Sequence, residues 1–160
     1  MRELRPGSRV VSHNFGMDNW RPDEQTIVRV EEVPHDVYLW IVPANVSGSW
    51  SWSLINGGAP MEFKLQLEQK FQFPEGRAWL DGVGAEIKEM RLQGDKISFQ
   101  VETTAGKRKA ALTFEGTAFL HEIQGLAKGK VDGKDVAFAW KARRDPASET
   151  RIDDDPSWIY

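Results

Sequence analysis

The sequence predicts a mainly β protein: an antiparallel meander curled into a barrel or a two-layer sandwich, preceded by a few strands of different character. Three observations predict it. Turn signals, most of them containing glycine, recur at short intervals from Gly48 onward. The segments between them alternate apolar and polar residues with a period of two. A weak internal repeat aligns Arg91-Leu92-Gln93-Gly94-Asp95-Lys96-Ile97-Ser98-Phe99 without gaps on Lys130-Val131-Asp132-Gly133-Lys134-Asp135-Val136-Ala137-Phe138. Both copies place an apolar residue before a glycine turn and an alternating strand after it, as two similar hairpins would.

The elements follow in order. Pro6-Gly7 marks a turn, and Arg9-Val10-Val11 begins a short apolar strand ending near Phe15. Residues 26–30 and 37–42 read as a strand pair across Pro34-His35-Asp36. The second of these, Val37-Tyr38-Leu39-Trp40-Ile41-Val42, has no polar alternation and is closed by Pro43. It expects cover on both faces, as an interior strand of an α/β sheet does, yet the sequence offers no helices to cover it.

Eight strands are expected from Gly48 onward. Residues 49–54 put Trp50, Trp52 and Leu54 on one face, and Asn56-Gly57-Gly58 turns the chain. Met61, Phe63, Leu65 and Leu67 then alternate with Glu62, Lys64, Gln66 and Glu68, a pattern suited only to a half-buried strand. The same parity resumes at Phe71 and Phe73, interrupted by Gln69, and Pro74-Glu75-Gly76 reads as the stop. Further strands are expected at 77–80, 85–92, 96–102, 107–114, 118–123 and 135–143. Their separators are Asp81-Gly82, Gly94-Asp95, Ala105-Gly106, Glu115-Gly116 and Asp132-Gly133. Residues 145–160 read as a polar tail, with Trp158-Ile159-Tyr160 placed to dock back on the body.

Composition limits the function classes. A chain of 160 residues suits one domain with an appendage, and 40% apolar content can bury a core. The longest apolar run, six residues, is far too short to span a bilayer, and the N-terminus lacks the hydrophobic region of a secretory signal. A cytoplasmic protein is favoured. Cysteine is absent, which removes disulfides, thiolate zinc sites and cysteine nucleophiles. A net charge of −3 argues against nucleic acid or a membrane as the partner.

The N-terminal run Arg2-Glu3-Leu4-Arg5-Pro6-Gly7-Ser8-Arg9-Val10-Val11-Ser12-His13-Asn14-Phe15, followed by Asp18, Trp20 and Pro22, resembles a segment found late in a family of class I S-adenosylmethionine-dependent methyltransferases. Val37-Tyr38-Leu39-Trp40-Ile41-Val42-Pro43-Ala44 resembles that family's closing sheet strand. Trp140-Lys141-Ala142-Arg143-Arg144 matches the Trp-x-Ala-x-Arg pattern that ends a β-rich extension in some members. The resemblance implies three parts: a remnant of the methyltransferase sheet at 1–46, an antiparallel β domain at 47–144 and a polar tail at 145–160. It also implies S-adenosylmethionine as the cofactor of the intact family protein. The acidic-Gly-x-Gly-x-Gly turn with which such enzymes hold the donor is missing. Gly82-Val83-Gly84 lacks the third glycine and sits in the meander, so no cofactor is expected on this chain and the chain by itself is expected to be inactive.

The resemblance places Ser12, His13 and Asn14 at the C-terminal end of an α/β strand, where open sheets bind ligands. His13, Asn14 and Trp20 are therefore the expected substrate-binding residues, with Asp18 and Asp23 nearby in the loop. Ser12 and His13 are adjacent on a strand and point to opposite faces, so they form no nucleophile–base pair, and no catalytic residue is expected. The three histidines, His13, His35 and His121, lack metal-site spacing. His121 reads as a core histidine on the face of Phe119 and Ile123, and Asp153-Asp154-Asp155 reads as a solvated run rather than a calcium loop. Trp50, Trp52, Trp79 and Trp140 either fill a barrel or line a cavity for a small apolar ligand. The alternatives to a methyltransferase part are thus a non-enzymatic ligand-binding barrel and a structural or dimerisation domain. Uncovered strands at the N-terminus predict a homo-oligomer formed through them.

Overall fold

The computed structural model describes residues 4–17, 20–103 and 108–152. The Ala105-Gly106 turn, Asp18, Asp153-Asp154-Asp155 and the docking of Trp158-Ile159-Tyr160 lie outside the described residues.

Among the described residues, eleven strands form a small sheet and a closed barrel. Strands β1 (Arg9–His13), β2 (Glu24–Val30) and β3 (Val33–Ile41) make a small sheet in the order β1-β3-β2. Strands β4 (Gly48–Asn56), β5 (Ala59–Lys70), β6 (Phe73–Leu80), β7 (Val83–Gln93), β8 (Lys96–Thr103), β9 (Ala110–Phe119), β10 (Glu122–Val131) and β11 (Lys134–Arg144) close an antiparallel barrel in chain order. The expected curled meander is therefore present. Closure runs through two short ladders, three residue pairs between β6 and β7 and two between β11 and β4. The barrel thus keeps something of a sandwich, with β4–β6 facing β7–β11 across weakly laddered joints.

A cluster of aromatic rings packs the interior. Trp52 stacks on Phe63 at 5.4 Å and meets Phe114 and Trp140 at 5.4 and 5.1 Å. Phe99 completes the cluster, 5.2 Å from Phe114. Trp50, Trp52 and Trp140 point inward as expected, whereas Trp79 alternates with buried Ala78 and Leu80 and so faces outward. The Trp52 indole N–H is buried without an oxygen or nitrogen partner, amid the rings of Phe63, Phe99, Phe114 and Trp140.

Arg144 seals one end of the barrel at 5% exposure. Its guanidinium donates to the carbonyls of Asn45, Ser47 and Leu120 and to His121 Nδ1, and it lies 4.9 Å from the Trp50 ring centre. Burial lowers its pKa and the nearby Glu149 carboxylate partly opposes this. The alternation Trp140, Ala142, Arg144 is the inward face of β11, which gives the Trp-x-Ala-x-Arg pattern its physical content.

Several expected boundaries are corrected. Glu115-Gly116 is not a turn: both residues lie within β9, and Gly116 pairs with Gly125 of β10. A Cβ on Gly116 would meet Trp140 Cζ2 at 3.0 Å, and one on Gly125 would strike the Glu115 carbonyl at 1.7 Å. The glycines give Trp140 room rather than bending the chain. The turn is Leu120-His121, with Leu120 at φ 53°, so the expected strand at 118–123 does not exist. His121 is consequently not a core residue; it sits at the rim with 43% of its side chain exposed. Pro74-Glu75-Gly76 likewise lies inside β6, and the turn is Phe71-Gln72, Phe71 having φ 52°. Gln69, the polar interruption, points inward and is fully engaged: it accepts from Val46 N–H and donates to the carbonyls of Ala44 and Phe71.

The repeat forms the β7–β8 and β10–β11 hairpins. Leu92 and Val131, Ile97 and Val136, and Phe99 and Phe138 take equivalent core-facing positions, while the turn pairs Gly94-Asp95 and Asp132-Gly133 are offset by one residue.

Candidate functional site

In the small sheet, β3 runs antiparallel to both neighbours, so β1 and β2 are parallel to each other. The β2–β3 turn is Glu31-Glu32, both left-handed at φ 51° and 65°, rather than Pro34-His35-Asp36. Register then sorts the side chains. Val10, Tyr38 and Trp40 share one face, which packs on Trp20, Val42 and Phe71. The opposite face carries Val11, Leu39 and Val37 with Val28, Val30 and Val33, and nothing among the described residues covers it: Val11 is 67% exposed.

His13 ends β1 on that uncovered face, and register places His35 there too. His13 Nε2 and His35 Nδ1 share a hydrogen bond of 2.7 Å, one ring donating and the other accepting, with the rings stacked at 4.8 Å. Asn14 follows in the left-handed region at φ 60°. Its Oδ1 accepts from Asp36 N–H at 2.7 Å, and its own N–H donates to the Asp36 carbonyl. Its Nδ2 lies 3.3 Å from His35 Nδ1. Asn14 therefore clips the end of β1 to β3 and fixes the histidine pair. Ser12 points to the other face and donates to the Phe15 carbonyl.

Trp20 lies beneath the opposite face at 3% exposure, stacked on Phe71 at 5.7 Å. Its indole donates to Gln72 Oε1, Gln72 Nε2 donates to the Arg21 carbonyl, and Trp40 Nε1 donates to the Trp20 carbonyl. These bonds fasten the sheet to the β5–β6 end of the barrel. The structure thus joins His13 and Asn14 to His35 and Asp36, which the sequence had put in a turn, and uses Trp20 at the junction. Asp23 is also structural, accepting from Ile41 N–H at 2.6 Å. Among the described residues no group of three or more histidine, aspartate or glutamate side chains is arranged to hold a metal.

A groove of about 1080 Å³ opens outside the barrel, beside the short β6–β7 ladder. Pro22 and Asp23 border it from the sheet, Phe73 and Pro74 from β6, and Arg91 and Lys96 from the β7–β8 hairpin. None of His13, Asn14 or Trp20 lines it.

Comparison with known proteins gives one partial likeness. A protein-lysine N-methyltransferase of Saccharolobus islandicus (strain REY15A) is 44% identical over 43 residues, 26% of this chain and 26% of that protein. The match therefore spans about a quarter of the length of each. No family model matches the chain, and no solved structure matches it.

Proposed function

We propose that the chain is the C-terminal portion of an S-adenosylmethionine-dependent methyltransferase-like protein and lacks the donor-binding site. The observation that carries this reading is the small sheet. Both of its ladders are antiparallel, and among the described residues nothing covers the apolar face that carries Val11, Val28, Val30 and Val33. A bare apolar face of this kind ordinarily marks a surface that another body covers, so the arrangement has the character of one part of a larger fold. The partial likeness to a methyltransferase supports the same reading.

In this reading His13 and Asn14 border the acceptor pocket of the intact protein, and Trp20 supports that border from below. Asn14 holds the strand end in place, and the His13–His35 pair presents imidazole nitrogen at the bare face. For the chain by itself, the reading includes self-association through β1 and β3, because a second copy is the nearest source of apolar cover. Ring packing of Trp52 against Phe63, Phe114 and Trp140 favours core filling over ligand binding as the role of these tryptophans.

Isothermal titration of the purified chain with S-adenosylmethionine tests the proposal. The expected result is no heat beyond dilution. Tight one-to-one binding would mean that the chain has a donor site of its own, and the reading would be wrong.

A further inference from the structure

We propose that His13 and His35 form a two-imidazole site for a divalent transition-metal ion, with solvent in the remaining positions. The inference stands apart from the methyl-donor reading. Both residues lie on the uncovered face of the small sheet, His13 at the end of β1 and His35 within β3. Register pairs His13 with Val37, so His35, two residues back along β3, is its diagonal neighbour on the same face. Paired backbone therefore carries both rings, and a site built on strands is held more firmly than one built on loops. Hydrogen bonding then shows which lone pairs face each other. Asn14 Oδ1 accepts from the Asp36 N–H, which orients the amide and turns its Nδ2 toward His35. An amide nitrogen can only donate, so His35 Nδ1, 3.3 Å away, is the acceptor and carries no proton. His13 Nε2, 2.7 Å from the same atom, is then the donor.

A metal ion enters by taking the place of the shared proton. His13 moves that proton from Nε2 to Nδ1, both facing nitrogens then offer lone pairs, and no proton leaves the pair overall. The span fits the bond lengths. Two metal–imidazole bonds of ~2.05 Å at a right angle hold their nitrogens ~2.9 Å apart. The observed separation is 2.7 Å, so a slight opening and tilt of the rings reaches that geometry. A right angle belongs to square-planar or tetragonal coordination, which points to copper(II) or nickel(II), and copper(II) binds imidazole more strongly. Among the described residues no third histidine, aspartate or glutamate joins the pair, which leaves the other positions to water. Asn14 is a positioning residue here. It clips the end of β1 to β3 through Asp36 and so keeps the two rings in register.

Titration of the full chain with copper(II) chloride, followed by electron paramagnetic resonance, tests the site. The first equivalent should show hyperfine coupling to two imidazole nitrogens; a spectrum with one or none would overturn the proposal. His13→Asn and His35→Asn should each leave a single coupled imidazole and weaken binding, and variants that bind as tightly as the parent would also refute it. The third histidine is an internal control, because His121 Nδ1 accepts from Arg144 at the far rim. In proton spectra at substoichiometric copper, the ring signals of His13 and His35 should broaden while those of His121 stay sharp. Broadening at His121 first would place the ion elsewhere and sink the idea. Asn14→Gly, which keeps the left-handed backbone, should retain the two-imidazole spectrum but weaken affinity about tenfold. Unchanged affinity there would remove Asn14 from the site.

Discussion

Phe114 and Val11 both belong to alternating strands, yet Phe114 is fully buried and Val11 is 67% exposed. The barrel meets every inward residue with another of its own strands, because closure turns a single apolar face upon itself. The three-stranded sheet does not close on itself, and among the described residues it finds cover where Trp20, Val42 and Phe71 meet its Trp40 face. Even its central strand, with six consecutive apolar residues, keeps Val37, Leu39 and Ile41 only half-buried. The difference is that the barrel covers its own apolar face, whereas the sheet depends on a neighbour for one face and, among the described residues, has none for the other.

Three substitutions sharpen or break this contrast. Arg144→Ala should have the largest effect, about 3–5 kcal/mol, because it strands three carbonyls at the barrel end and removes the tie between the rim and the 45–47 linker. Urea unfolding would read it as a lowered midpoint. Trp20→Ala should cost about 3 kcal/mol, and the loss should fall on the junction. Amide exchange is then expected to accelerate in β1–β3 while β8–β10 stay protected; equal acceleration throughout would show that sheet and barrel unfold as one unit. Val11→Thr should change stability by no more than about 0.5 kcal/mol, since the side chain is largely solvated. If a second copy covers that face, the same change should lower the mass seen by light scattering. An unaltered oligomer would remove β1 from the contact.

Sequence pattern was most informative where burial alternated cleanly. Met61, Phe63, Leu65 and Leu67 are each at most 2% exposed, as their spacing required. Turn positions were less legible because glycine has two uses. At Gly57-Gly58 and Asp132-Gly133 it permits left-handed backbone, but at Gly76, Gly116 and Gly125 it permits close approach within paired strands. Conversely, Glu31-Glu32, Phe71-Gln72 and Leu120-His121 turn without glycine, and three boundaries were misplaced for that reason. The candidate site was half legible. A strand end pointed to His13 and Asn14, but His35 was hidden in an assumed turn, and only the Val30↔Val33 pairing reveals that it lies in β3.

The two-pair ladder between β4 and β11 also governs how the molecule assembles. Every other barrel ladder joins strands that are consecutive in the chain, so each can form as a local hairpin. Trp50 and Arg144 must instead find each other across nearly the whole barrel sequence, with only two backbone pairings to reward the encounter. Closure of this joint is therefore the most non-local pairing that the barrel topology requires. The Arg144 guanidinium bridges that joint, tying the 45–47 linker and the Leu120 turn to the end of β11.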